Sequence, residues 1–128
     1  MEHGDHVRLL RDGVPAGGVW ADLGSGGGAF TLALADLLGP GGTIYSIDRD
    51  GRALLRQEAT MRARFPDVAV SYIEADYTKK LDLPPLDGVV MANALHFQPT
   101  RRKSDVVALV DGYLKPGGRL LVVEYNTD

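Results

Sequence analysis

Apolar and polar positions along this chain fall into two alternating periods. "VWADL", "TIYSID", "VAVSYIEAD", "DGVVMANAL" and "RLLVVEY" are short apolar runs of strand length, and most of the stretches between them follow the helical period. "AFTLALADLL" places Phe30, Ala33, Leu34 and Leu37 on one face. "DGRALLRQEATMRARF" sets Leu54, Met61 and Phe65 at helical spacing behind Asp50, a suitable N-cap. "SDVVALVDGYL" sets Val106, Leu109, Val110 and Tyr113 on a third stripe, with Ser104 or Thr100 as cap. The opening "HVRLLRDGV" predicts a short helix lying across the sheet.

Three strands share one kind of lead-in: "PAGG" before Val19, "GPGG" before Thr43 and "KPGG" before Arg119. Proline and glycine end the preceding helix and supply the turn into the strand. The spacing of these marks is unequal, so they are punctuation and not an internal repeat. The predicted order is a helix followed by strand–helix units up to a fifth strand. Such alternation implies an α/β fold, a parallel sheet with helices on both faces and right-handed crossovers. Consecutive apolar residues in "GVVMA" and "LLVVEY" suit strands buried on both sides.

Length bounds this to a single domain spanning residues 1–128, with 1–14 as an N-terminal helical segment. No apolar run approaches the roughly 20 residues of a membrane helix, and the first residues lack the pattern of a signal peptide. With no cysteine, disulfides, thiolate metal sites and thiol nucleophiles are excluded, and a cytoplasmic location is expected. A net charge of −3 provides no overall basic field for nucleic acid. The one basic run, Arg101 to Lys103, reads as a solvated helix start or a local anion contact.

In open parallel sheets ligands bind beyond the carboxyl ends of the strands, so the residues just after each strand matter most. The first strand ends "ADLGSGGGA", with four glycines between Gly24 and Gly28. Gly24 and Gly26 permit a sharp turn and close approach of a ligand, and the next helix would aim its amide groups at a carboxylate or phosphate. Gly24, Gly26 and Ala29 also satisfy the relaxed dinucleotide pattern G-x-G-x-x-A; a plain tight turn is the other reading. The second strand ends at Asp48, 24 residues past Gly24, near the interval expected of an acid that binds ribose hydroxyls. Its two oxygens can each take one O–H donor of a diol, although Asp48 or Asp50 could instead only cap the next helix. After the third strand, Asp76 could accept from an exocyclic amine or close an Asx-type turn. Tyr77 could pack on a base or cover the core. The fourth strand ends at Asn93, placed at the mouth of the sheet, and His96 is either a general base or a packed side chain. Three histidines without an acidic partner at ligand spacing make no metal site.

Taken together, these residues resemble the class I S-adenosylmethionine-dependent methyltransferases. "DLGSGGG" is similar to that family's D/E-x-G-x-G-x-G loop, with Asp22 where a nicotinamide-binding strand usually has an apolar residue. "IDRD", "EADYT", "DGVVMANALHF" and "LKPGGRLLVVEY" follow in the family's order. The resemblance implies a Rossmann-like, doubly wound, three-layer α/β/α fold with strand order 3-2-1-4-5. It also implies S-adenosyl-L-methionine as cofactor, with methyl transfer to an N, O or C acceptor. By the same resemblance, Gly24, Ser25 and Gly26 would line the methionine part, and Asp22 would hold its amino group directly or through water. Asp48 would bind the ribose, Arg49 would flank the adenine, Asp76 would accept from its amine, and Tyr77 would lie against the ring. Asn93 would close the site near the sulfonium.

No catalytic residue is identified, since alignment of donor and acceptor can carry such a reaction. The family's sheet usually continues into a sixth and seventh strand. None follows "VVEYNTD", so we expect a shortened domain with the fifth strand at an edge, open to pairing with a second copy. The expected partner is a small-molecule acceptor, with no membrane and no nucleic acid. Three other functions compete: a cofactor-binding module without its own turnover, a nicotinamide-dependent oxidoreductase, and an aminopropyl-transfer enzyme.

Overall fold

The computed structural model describes residues 2–92 and 100–124. Two strands begin at the last glycine of their lead-ins, the next two follow loops, and the fifth begins at Leu114, ahead of its "KPGG". β1 is Gly18–Leu23, β2 Gly42–Asp48, β3 Ala69–Glu74, β4 Leu86–Ala92 and β5 Leu114–Val123. They form one parallel sheet in the order β3-β2-β1-β4-β5. The helices are α1 (His3–Leu10), α2 (Ala29–Leu38), α3 (Gly51–Arg64) and α4 (Thr100–Tyr113), with a 3₁₀ turn at Arg11–Gly13. The fold class and strand order are those expected from the sequence.

Two apolar layers fix the helices to the sheet. On one face Trp20, Ile44 and Val90 pack against Leu10 of α1, Phe30, Ala33, Leu34 and Leu38 of α2, and Met61 of α3. On the other, Ala21, Leu23, Ile47, Val89 and Met91 pack against Val106, Val110 and Tyr113 of α4. Alternate residues of the strands thus serve opposite layers, as a sheet covered on both sides requires. The first helix rests on the second, with the His6 ring 4.8 Å from that of Phe30.

The strict strand–helix alternation fails at one place: no helix joins β3 to β4. Eleven residues, 75–85, make that crossover. They must return about 20 Å along the sheet and move sideways by three strand spacings, about 14 Å. A helix of that length spans only about 17 Å, whereas extended chain reaches roughly 36 Å. The segment therefore runs extended, and Tyr77, Leu81 and Leu83 cover the sheet where a helix would otherwise lie. Its course is pinned where Leu81 N donates to Tyr113 Oη at 2.7 Å. The "KPGG" lead-in likewise leaves a mark within β5. Leu114 pairs with Leu86 and Arg119 with Gly88, so the proline–glycine corner is accommodated as a bulge.

Candidate cofactor site

The carboxyl ends of β1 and β2 are joined by the glycine loop. Gly24 N and Ser25 N both donate to Ile47 O, at 2.8 and 3.0 Å, which folds the loop back over the end of β2. Gly26 and Gly28 take φ of 53° and 89°, a region that favours glycine. A Cβ on Gly28 would also stand 2.6 Å from Gln57 Cγ, so two independent constraints exclude a side chain there. Gly28 is the N-cap residue of α2 and supplies no capping side chain. The positive end of that helix therefore faces the loop, an arrangement suited to a carboxylate.

Asp48 closes the loop from the β2 side. Its Oδ1 accepts from Gly26 N at 3.0 Å and its Oδ2 from Asp50 N at 2.9 Å. Each oxygen retains acceptor capacity for a further donor. Asp50 caps α3, accepting from Arg52 N and Ala53 N. The two adjacent acids thus divide their work, one capping and one facing the glycine loop.

Asp22 lies underneath, with 1% of its surface exposed. Thr31 Oγ1 donates to its Oδ2 at 2.7 Å. Burial raises the carboxyl from its ordinary 3.8 to about 7, helped by the negative charge of Asp48 and opposed by the Thr31 bond. Asp22 is therefore a support under the loop and does not line its open side.

A second group sits at the end of β3. Asp76 Oδ1 accepts from Thr78 N at 2.9 Å and from Thr78 Oγ1 at 2.6 Å, an Asx-type turn. These bonds, side chain first, hold its carboxyl below the ordinary range, and the positive charge of Arg49 adds to the effect. Among the described residues, both hydrogen bonds to the Asp76 side chain go to Oδ1. Tyr77 is turned inward among Leu23, Ile47 and Leu86, so of its two readings the core-covering one describes where the ring lies. Arg49 is exposed and also borders a groove of about 910 Å³ between α3 and β3, lined by Leu55, Glu58, Tyr72 and Glu74. Asn93 and His96 lie outside the described residues.

Gln57 was not among the sequence candidates, yet its side chain is buried at the loop. Its Nε2 donates to Gly26 O at 2.6 Å and to Ser25 Oγ at 2.9 Å, and its Oε1 accepts from Ser46 Oγ at 2.7 Å. Spacing was the available signal, for Gln57 lies three residues after Leu54 and four before Met61, on the same apolar stripe. Thr31 and Ser46, both fully buried, complete the polar layer between Asp22 and the loop.

Comparison with known proteins bears on the family and the fold. The family profile described as "Methyltransferase domain" matches residues 21–118. The ubiquinone/menaquinone biosynthesis C-methyltransferase UbiE of Azotobacter vinelandii is 31% identical over 114 residues, covering 89% of this chain and 45% of the relative. A putative methyltransferase from Bacillus halodurans superposes with a TM-score of 0.79 at 20% identity, over 98% of this chain and 52% of that one. The glycopeptide N-methyltransferase MtfA in complex with S-adenosyl-L-methionine superposes at 0.76 with 17% identity, over 92% of this chain and 48% of that one. The chain spans slightly under half the length of the curated relatives it matches.

Proposed function

Since the chain belongs to the methyltransferase-domain family, we propose that it binds S-adenosyl-L-methionine at the carboxyl ends of β1, β2 and β3 and passes the methyl group to a small-molecule acceptor. One observation carries the reading: the acid at the end of β2 and the glycine loop are hydrogen-bonded into a single surface, over a second, buried acid. That surface fits the cofactor's charges. A diol, an ammonium and an amine are donors that carboxyl oxygens accept, whereas a pyrophosphate would meet the like charge of Asp48.

Gly24, Ser25 and Gly26 bind the amino-acid end, with the N-terminus of α2 facing its carboxylate. Asp22 attracts the ammonium from below the loop, and Asp48 takes the ribose hydroxyls. Asp76 accepts from the adenine amine through Oδ2, with Arg49 beside the base. When bound, the sulfonium supplies both an activated methyl group and its own leaving group. The residues' contribution is to hold donor and acceptor in line, and nitrogen, oxygen and carbon nucleophiles all fit that role. The second reading is a cofactor-binding module without turnover of its own. Methyl transfer to an added acceptor by the isolated chain separates the two.

Among the described residues no helix is long and apolar enough to cross a membrane, and a cytoplasmic location is part of this reading. Calorimetric titration with S-adenosylhomocysteine tests the cofactor. Asp48→Ala should weaken binding by roughly 1.5–3 kcal/mol, the range for hydrogen bonds to a charged group. Loss of its bond to Gly26 N loosens the loop as well, so this range is a lower bound. Unaltered affinity would remove Asp48 from the ribose. The reading extends to the outer edge of β5, where Val122 is 44% exposed and a second copy can pair. Val122→Lys should then shift sedimentation from dimer to monomer, because a lysine on a paired edge opposes association. An unchanged profile would count against pairing.

A further inference from the structure

The peptide unit at Gly26 is held from two sides. Its N–H donates to Asp48 at the end of β2, and its C=O accepts from Gln57 of α3. Because a carbonyl only accepts, the NH₂ of Gln57 must face Gly26. The other end of the amide takes the hydroxyl of Ser46, and the same NH₂ reaches Ser25. Gln57 is 4% exposed, and its amide is bonded at both ends within the protein. Its stem occupies the space that a Cβ on Gly28 would need. A buried polar side chain on the apolar stripe of a helix costs stability unless its bonds are made. Here they are made, and all but one go to the glycine loop.

Resting on the cofactor reading above, we propose that Gln57 is a positioning residue. It latches α3 to the glycine loop and so sets the geometry that receives the amino-acid end of the cofactor. The ribose and adenine contacts belong to Asp48 and Asp76, which Gln57 does not touch. The latch therefore discriminates between parts of one ligand. Without it the loop samples other conformations, and affinity falls in proportion to the time spent in the competent one. A ligand that lacks the amino-acid tail is indifferent to that loss.

Gln57→Met, which keeps length and removes both polar ends, tests this by calorimetry with two probes. S-Adenosylhomocysteine carries the tail, and 5′-methylthioadenosine keeps only the nucleoside and a methylthio group. The dissociation constant for the first should rise about tenfold, the effect of a loop competent about one-tenth of the time. That for the second should stay within about twofold. Equal losses for both ligands, or no loss for either, would overturn the assignment of Gln57. Ser46→Ala removes the hydroxyl that meets the Gln57 amide at 2.7 Å and also Ser25 Oγ of the loop at 2.8 Å. Gln57→Leu, which removes the amide and leaves Ser46 and Ser25 in place, should give the same tail-dependent pattern, and it decides the matter if Gln57→Met does not fold. A wild-type chain that binds neither ligand would instead sink the cofactor reading itself.

Discussion

Raising the pH from about 4 to about 7 should cost the folded domain on the order of 4 kcal/mol, and Asp22→Asn should abolish that loss. Burial lifts the Asp22 midpoint from 3.8 to about 7, and each tenfold change in proton affinity is worth about 1.36 kcal/mol. Between those two pH values the native chain holds a proton that the unfolded chain has released. Stability therefore falls as pH rises through this window. The contribution is complete below pH 3.8 and lost above about 7. Asp76 and Asp87 are held below the ordinary carboxylate range by hydrogen bonds from Thr78 and from Val19 N. They lose their contribution at more acidic pH, outside the window. His6, pulled down by burial, acts in the opposite sense near its ordinary 6.5. The difference between wild type and Asp22→Asn isolates Asp22 from these groups. Urea unfolding at a series of pH values provides the measurement. Parallel curves for the two proteins would mean that Asp22 titrates in the fold as it does in water.

Gly88→Ala should destabilise the domain by about 3 kcal/mol, the upper part of the usual range for overpacking a core. Gly88 and Trp20 are register partners on β4 and β1. A Cβ on Gly88 would collide with Cη2 and Cζ3 of the indole. The ring cannot step aside, for Trp20 is 1% exposed and packed among Leu10, Val14, Phe30 and Val90. Trimming the ring should relieve the clash. Trp20→Leu combined with Gly88→Ala is therefore expected to cost clearly less than the two single changes added together. Additive costs, or a Gly88→Ala protein as stable as wild type, would show that the indole does not fill the space over β4.

Much of this architecture is legible in the chain because several strands carry their own punctuation. "PAGG" and "GPGG" mark two strand starts, and Asp50 caps its helix as its position suggests. "KPGG" marks an irregularity inside β5, which begins one residue ahead of it. The glycine loop and Asp48 are likewise legible as neighbours, since both follow strands that pair directly. The extended crossover between β3 and β4 was not legible from periodicity. Its conformation is imposed by the distance between two non-adjacent strands, which no local pattern records. Gln57 escaped for a related reason: between arginines it reads as one more solvated side chain, and only the packing of α3 against the loop shows where it points. Tyr77 shows the limit from the other direction. A tyrosine beside a strand-end acid is compatible with ligand or core, and the missing helix is what draws its ring into the core.

The central claim is that the surface formed by the glycine loop, Asp48 and Asp76 accepts a nucleoside joined to an amino acid and not one joined to a pyrophosphate. Titration of the wild-type chain with S-adenosylhomocysteine and, separately, with NADH tests this most directly. The account predicts saturable heat of binding with S-adenosylhomocysteine and none with NADH. Binding of NADH without binding of S-adenosylhomocysteine would contradict it.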